Sequence, residues 1–178
     1  MNKLYIIRHG KTDWNNLRLM QGRVDIPLNE EGRDDAVKLA SSINLSDIDI
    51  CFSSPLKRAR ETAEIIVQNK LEIVYDDLLI ERDFGDYEGC EVNFDLIQKQ
   101  WDYKLNDKRG NIESIKECLN RAKVFLGKIK KEYPNKTTLI ISHGSFIKAL
   151  HFNIIGYDEN TDFLSFRPAN TRVYEYDY

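Results

Sequence analysis

The sequence contains few of the residues that stabilise a fold lacking a large core. Its 178 residues include three cysteines, four prolines and nine glycines. Cys51, Cys90 and Cys118 are far apart and form no CxxC pair, which argues against a disulfide framework and against a cysteine-rich zinc site. Glycine and proline are too scarce for a fibrous or disordered chain. We therefore expect a globular protein that folds around its own apolar core.

Long apolar runs and an excess of positive charge are also absent. No stretch approaches the roughly 18 apolar residues of a membrane span, and Leu4–Ile7 is too short for the apolar region of a signal peptide. The 26 basic residues are outnumbered by 29 acidic ones, which gives a net charge of −3 at pH 7. Because surfaces that bind polyanions are usually basic, we expect no nucleic-acid partner. We also expect no membrane partner and a cytoplasmic location.

Short apolar runs alternate with amphipathic stretches along the chain. The apolar runs predict five strands, at Leu4–Arg8, Ile48–Ser53, Leu71–Tyr75, Thr137–Ser142 and Arg172–Tyr176. Helices are predicted after Asn29, after Pro55, over Val92–Leu105, from Ile112 to Pro134, and over Ser145–Ile155. This alternation predicts an α/β protein, a three-layer α/β/α sandwich with a mostly parallel central sheet. We expect one domain over residues 1–178, with a small helical cap contributed by about residues 90–132.

Histidine is scarce as well, and two of the three histidines directly follow predicted strands. Arg8-His9-Gly10 ends the first strand, and Ser142-His143-Gly144 ends the fourth. Arg58 lies in the helix after the second strand, and Glu81 follows the third. Because ligands of parallel α/β sheets bind beyond the carboxyl ends of the strands, we expect these side chains at one site.

Two imidazoles, two guanidinium groups and one carboxylate suit the transfer of a phosphoryl group. A guanidinium presents a planar fork of donors that matches phosphoryl oxygens. A neutral imidazole is a nucleophile, and a carboxylic acid can protonate the oxygen of the leaving group. Since phosphoryl transfer needs mainly positioning and charge stabilisation, these groups can act without a metal. We therefore expect no metal and no other cofactor.

The segments around these residues resemble, in the same order along the chain, the motifs of the histidine phosphatase superfamily, which includes the cofactor-dependent phosphoglycerate mutases. The segments are Ile6–Asn15, Gln21-Gly22, Asp25–Arg33, Ser53–Ala63, Glu81–Gly89 and Ile141–Gly144. A Gly-Glu-Ser element of the family is matched only loosely by Gly110–Ser114, where two residues separate the glycine from the glutamate. The resemblance covers Leu4 to about Ser145 and implies a phosphoglycerate mutase-like fold.

The resemblance also implies a role for each residue of the predicted site. His9 would be the nucleophile that forms a phosphohistidine intermediate. Arg8 and Arg58 would clamp the phosphoryl group, and His143 would donate to its oxygens in the transition state. Glu81 would protonate the leaving alcohol and then activate water.

Further residues would contact the substrate without taking part in bond breaking. Asn15 would donate a hydrogen bond to the phosphate. The backbone near Gln21 and Gly22, and that near Gly144 and Ser145, would border the substrate. The expected partner is a small phosphorylated molecule. The sequence identifies neither this molecule nor the oligomeric state of the protein.

Three functions remain open at this stage, of which a phosphatase is favoured. Mutases of the family have a longer segment between the acid-bearing loop and the second histidine, whereas here 53 residues separate Gly89 from His143. A short segment leaves the site open to water, which favours hydrolysis over a cofactor-dependent phosphoglycerate mutase. The third possibility, a phosphate-binding module without turnover, is disfavoured because His9 and Glu81 are both present. No GxSxG, P-loop or GxGxxG element indicates another class of enzyme.

Overall fold

The computed structural model of the protein describes residues 2–178. Its five strands are Lys3–Arg8 (β1), Ile50–Ser53 (β2), Ile73–Tyr75 (β3), Thr137–Ser142 (β4) and Val173–Asp177 (β5). They form one sheet in the order β3-β2-β4-β1-β5. All neighbours are parallel except β5, which pairs antiparallel with β1. The mostly parallel sheet predicted from the sequence is confirmed.

Six α-helices accompany the sheet within residues 2–178. They are Asp13–Asn16 (α1), Glu30–Ser42 (α2), Lys57–Val67 (α3), Phe94–Gln100 (α4), Ile115–Glu132 (α5) and Gly144–Ile155 (α6). Local capping defines several starts: the Asn29 side chain accepts from the Gly32 N–H, and Ser114 forms a reciprocal capping box with Glu117. None of the helices described is long and apolar enough to cross a membrane.

Each face of the sheet carries its own apolar core, because successive side chains of a strand point to opposite faces. On one face Leu4, Ile6 and Ile140 pack with buried side chains of α5 and α6. On the other face Ile7 and Ile141 pack with buried side chains of α3. Strands buried on both faces are typical of parallel sheets covered by helices. The layers are therefore helix, sheet and helix, as predicted.

The segment between the acid-bearing loop and α5 is less helical than its composition predicts. A helix was expected over Val92–Leu105, but α4 covers only Phe94–Gln100. The apolar residues of Val92–Leu105 do not recur at helical spacing, so a helix over the whole segment would not place all of them on one buried face. Trp101, which ends α4, is buried.

The two helices of the predicted cap differ in their surroundings. Helix α5 buries Leu119, Ala122 and Phe125 in the core that it shares with β1, β2 and β4. Helix α4 instead contributes to the wall of the main cavity, which no residue of α5 lines. The division into a domain and a cap over residues 90–132 stays a prediction. Within the predicted cap, Val92–Trp101 is the part that borders the cavity.

Candidate active site

The site lies where β1 and β4, the central pair of the sheet, both end. These strands are parallel, and Arg8 pairs with Ser142. The next residue of each strand is a histidine, so His9 and His143 come to lie side by side with their ring centroids 5.1 Å apart. Both rings are buried. The pairing of two strands more than a hundred residues apart in sequence thus brings together the two predicted histidines.

His9 is held as a neutral ring with one defined tautomer. Its Nδ1 lies 2.7 Å from the carbonyl oxygen of Gly10. Because a carbonyl only accepts, Nδ1 carries the hydrogen and Nε2 keeps its lone pair. Burial and the nearby guanidinium groups of Arg58 and Arg8 lower the pKa of His9 well below its usual range. The ring is therefore neutral at neutral pH, as a nucleophile must be.

His143 has protein partners on both ring nitrogens. The Nε of Arg58 donates to its Nδ1 at 3.1 Å, which leaves the hydrogen on Nε2. That Nε2 lies 2.8 Å from the hydroxyl oxygen of Ser54, to which it donates. Burial and the charge of Arg58 lower the pKa of His143 well below its usual range. For His143 to donate to a phosphoryl oxygen, its Nε2–H would have to break the hydrogen bond to Ser54 and form one to the substrate.

Arg58 is fully buried and links α3 to the loop that follows α1. Its terminal nitrogens donate to the carbonyl oxygens of Gly22 at 2.6 Å and Val24 at 2.8 Å. Burial lowers the pKa of Arg58 to about 10, so the group remains a cation at neutral pH. The predicted phosphoryl clamp is therefore also the anchor that holds the Gln21–Val24 loop at the edge of the cavity.

Arg8, the residue before His9, is half-buried and lines the cavity. One terminal nitrogen donates to the carbonyl oxygen of Pro168 at 3.0 Å, and its buried Nε has no protein partner. A Cβ at Gly144 would lie 3.3 Å from the guanidinium carbon of Arg8. Gly144 therefore makes room for the guanidinium. Gly10 likewise allows a close approach, because a Cβ there would lie 2.5 Å from the carbonyl oxygen of Gly32.

The Glu81 carboxylate is fixed at the start of α6. Its Oε1 accepts from the backbone N–H groups of Arg82 at 2.8 Å and Phe146 at 3.0 Å, and its Oε2 accepts from that of Ser145 at 3.1 Å. The carboxylate is mostly buried but borders the cavity. Since Oε2 has a single partner, it keeps a lone pair on which a proton can be carried.

An ion-pair network behind Glu81 holds the acid-bearing loop, and sequence reasoning did not predict it. Arg121 of α5 donates to the backbone carbonyls of Leu78, Ile80 and Glu81, and both oxygens of Glu113 accept from it. Glu113 belongs to the element that only loosely matched the family pattern. It does not line the cavity, and its role in the structure is to hold this loop in place.

The residues predicted to contact the substrate all border one cavity of about 520 Å³, together with Arg8, His9, Arg58 and Glu81. They are Asn15, Gln21, Gly22, Gly144 and Ser145. The Asn15 Oδ1 accepts from the backbone N–H and the hydroxyl of Thr12, so its amide N–H₂ is the part left for a ligand. The buried Gln21 Oε1 has no protein partner. His143 lies behind this wall and does not line the cavity.

The structure adds cavity residues that the sequence analysis missed. Gln100 and Trp101 come from the end of α4, Lys148 from α6, and Arg167 from the segment between α6 and β5. Lys148 had a sequence signal, because it is the only lysine or arginine of an apolar helix and lies four residues after Gly144. Arg167 had none, since no pattern connects it to the motifs.

The third histidine, His151, lies outside the cavity. It stacks on Phe166 with the ring centroids 3.8 Å apart, and its Nδ1 lies 2.8 Å from the hydroxyl oxygen of Tyr176. Within residues 2–178, no cluster of three or more His, Cys, Asp and Glu side chains has the arrangement of a metal site.

Replacing Arg58 by methionine is expected to lower kcat/KM for phosphomonoesters by about a hundredfold or more, because a charged donor to the transition state is lost. The Gln21–Val24 loop also loses its anchor. Steady-state kinetics and thermal unfolding measure the two effects. The matched control is Arg60→Met on the same helix, because Arg60 is exposed and pairs with Glu64. Equal losses in the two variants would contradict the assignment, and Arg58→Lys replaces Arg58→Met if the latter does not fold.

Comparison with known proteins agrees with this geometry. Residues 4–178 match the sequence profile of the histidine phosphatase superfamily (branch 1). The chain is 38% identical over 159 residues to the uncharacterized phosphatase PhoE of Bacillus subtilis, with 89% of this chain and 80% of the relative covered. It is 33% identical over 168 residues to phosphoserine phosphatase 1 of Hydrogenobacter thermophilus, with 89% and 78% covered.

A solved structure is similar over nearly the whole chain. It is that of a phosphoserine phosphatase variant from Entamoeba histolytica in complex with phosphoserine. The TM-score is 0.85 at 31% sequence identity, and the match covers 98% of this chain and 90% of the other. The chain therefore belongs to the histidine phosphatase superfamily, which confirms the family and the fold predicted from its motifs.

Proposed function

We propose that this protein is a phosphomonoesterase that hydrolyses small phosphorylated metabolites through a phosphohistidine on His9. The observation that carries the proposal is the state of His9: a neutral ring whose Nδ1–H is bound to the Gly10 carbonyl, beside two guanidinium groups, in a cavity that also contains Glu81. A neutral nucleophile surrounded by cations is what attack on a phosphate dianion requires.

The reaction follows from these positions in two displacements. The His9 Nε2 attacks phosphorus while the bond between phosphorus and the ester oxygen breaks. Arg8 and Arg58 stabilise the charge on the phosphoryl oxygens, and the protonated Glu81 gives its proton to the leaving oxygen. Water then attacks the phosphohistidine, Glu81 takes up a proton from that water, and inorganic phosphate leaves with His9 restored.

The substrate class is supported by the size of the site and by the relatives. A cavity of about 520 Å³ has the dimensions of a small-molecule site. One relative is named a phosphoserine phosphatase, and a similar solved structure contains phosphoserine. We propose a small phosphorylated metabolite as the substrate, in the cytoplasm and without a metal ion.

Water as the acceptor is supported by how little of the segment of residues 90–132 borders the cavity. Of residues 90–132, only those between Val92 and Trp101 line it, while the buried face of α5 packs in the core. A mutase must keep water away from its phosphohistidine while the substrate reorients. We therefore favour hydrolysis over a phosphoglycerate mutase activity.

The test is phosphate release from a panel of phosphomonoesters, with and without a metal chelator, alongside an assay for the conversion of 3-phosphoglycerate to 2-phosphoglycerate. We expect release of phosphate that the chelator does not reduce. Phosphate release no faster than without enzyme, together with rapid interconversion of the two phosphoglycerates, would establish a mutase instead. Binding of phosphate esters without either reaction would establish a binding module.

A further inference from the structure

The segment that precedes β5 lies against the end of β1. Because β5 runs antiparallel to β1, with Val173 paired to Ile7, the residues before Val173 lie beside the residues that follow Ile7. Asn170 accordingly forms an isolated bridge with Arg8. We call Pro168–Thr171 the support segment. Its position places it next to the backbone of the nucleophile.

Asn170 is the residue of the support segment whose side chain binds that backbone. Its Nδ2 donates to the carbonyl oxygen of His9 at 2.7 Å and to that of Gly10 at 3.4 Å. The Gly10 carbonyl is also the group that accepts from the Nδ1–H of His9 at 2.7 Å. The Asn170 amide therefore holds the acceptor that selects the tautomer of His9.

The peptide between His9 and Gly10 is held at both of its polar groups. Asn170 binds its carbonyl, and its N–H donates to the hydroxyl of Thr62 at 3.0 Å. Such anchoring is needed because residue 10 must be a glycine: a Cβ there would lie 2.5 Å from the carbonyl oxygen of Gly32. Glycine does not restrict its own backbone angles. Contacts from other segments therefore set the position of the Gly10 carbonyl.

The support segment is itself fixed against β1 and β5. The Arg8 guanidinium donates to the carbonyl of Pro168, and the Arg8 carbonyl accepts from the N–H of Thr171 at 2.9 Å. The N–H of Ala169 donates to the hydroxyl of Tyr174 at 2.9 Å. Thr171 has a φ of 51°, which a β-branched residue rarely adopts. Since strained backbone persists only where its surroundings enforce it, these contacts hold the segment in one conformation.

We propose that Asn170 is a positioning residue of the reaction, which acts by holding the Gly10 carbonyl so that the hydrogen of His9 stays on Nδ1. The inference rests on the proposed function of His9 and adds a residue that acts through it. A neutral imidazole can carry its hydrogen on either nitrogen, and the nearest partner selects one. If the carbonyl turned away, part of the protein would carry the hydrogen on Nε2, and that tautomer cannot attack phosphorus.

The kinetic test uses two substitutions of Asn170. Asn170→Ala removes the donor, and we expect kcat for phosphate release to fall about ten- to a hundredfold. KM should change by about twofold or less, because the cations that bind the phosphate are untouched. Asn170→Asp keeps the shape but turns the donor into an acceptor, so it should lose at least as much kcat. A wild-type kcat in either variant would overturn the proposal.

The tautomer of His9 is measured by NMR without turnover. Protein labelled with ¹⁵N-histidine contains three imidazoles, and the signals missing in His9→Ala are those of His9. In the wild type, Nδ1 should have the chemical shift of a protonated nitrogen and Nε2 that of an unprotonated one. In Asn170→Ala the two shifts should move towards each other as the second tautomer becomes populated. Unchanged His9 shifts would overturn the proposal, whatever the value of kcat.

The matched control is Asn153→Ala on α6. The Nδ2 of Asn153 also donates to two backbone carbonyls, those of Leu119 at 3.0 Å and Ala149 at 2.8 Å, and the residue is likewise half-buried. This variant should have a lower melting temperature with unchanged kcat and unchanged His9 shifts. Equal losses of kcat in Asn153→Ala and Asn170→Ala would overturn the proposal. If Asn170→Ala does not fold, both measurements are made on Asn170→Asp.

Failure of the proposed function gives a different result. If the wild-type enzyme releases no phosphate from any ester, the catalytic proposal is wrong, and the His9 shifts still test the contact with Asn170. If phosphate is released but the shifts do not respond to the loss of Asn170, the positioning role alone is wrong.

Discussion

Replacing His9 by alanine is expected to reduce phosphate release by at least about a thousandfold, because the covalent route is lost and the remaining groups have nothing to attack phosphorus. The neutral state of His9 also predicts a pH dependence. Burial and the adjacent guanidinium groups lower its pKa well below the usual range, so the nucleophile stays unprotonated as the pH falls through 6.5. Enzyme phosphorylation should therefore not decline with a midpoint near 6.5.

The measurement is rapid quenching with a radiolabelled phosphomonoester. Wild-type enzyme should retain label that is stable to base and released by acid, and His9→Ala should retain none. The control is His151→Ala, since His151 lies outside the cavity and its contacts are with Phe166 and Tyr176. This variant should keep its labelling even if its melting temperature falls. Base-stable label in His9→Ala would place the nucleophile elsewhere.

Replacing Glu81 by glutamine is expected to slow the hydrolysis of alkyl phosphates by about a hundred- to ten-thousandfold, because the leaving alkoxide then receives no proton. With p-nitrophenyl phosphate, whose leaving group needs no proton, formation of the phosphoenzyme should slow much less. Hydrolysis of the phosphoenzyme still needs Glu81 to activate water. Stopped-flow measurements on the variant should therefore show a burst of nitrophenolate followed by a slow steady state.

The control for this prediction is Glu88→Gln in the same loop. The Glu88 carboxylate accepts from the backbone N–H groups of Arg23, Val24 and Phe84, so it holds the loop together. Its replacement should lower stability and slow both classes of substrate to a similar extent. Absence of a burst in Glu81→Gln, or an effect that does not depend on the leaving group, would remove Glu81 from the acid–base role.

Much of the fold and the charged groups around His9 were predictable from the sequence, for local reasons. Apolar runs such as Thr137–Ser142 mark strands that are buried on both faces, and Asn29 marks a helix start through a bond to the backbone three residues away. The histidines could be assigned to one edge of the sheet because each directly follows a strand. These predictions depend on neighbours in sequence and on one general property of parallel sheets.

The parts that could not be predicted depend on contacts between distant segments. The apolar stripe of α5 shows that one face of this helix is buried, but only the structure shows that β1, β2 and β4 cover it. Arg121 and Glu113 hold the acid-bearing loop although neither belongs to it. Arg167 reaches the cavity from a segment without regular structure, which no periodicity describes.

The sequence by itself determined the family, the order of the strands and of the longer helices, and the set of side chains available for chemistry. These properties follow from motifs and periodicities that lie within short stretches of chain. Only the tertiary structure decided how those side chains are used: which nitrogen of His9 carries the hydrogen, what occupies both nitrogens of His143, and that Lys148 is left without an ion-pair partner in the cavity wall. Each of these outcomes depends on packing between segments, because burial and the nearest partner set protonation and charge, and neither is encoded by the spacing of residues along the chain.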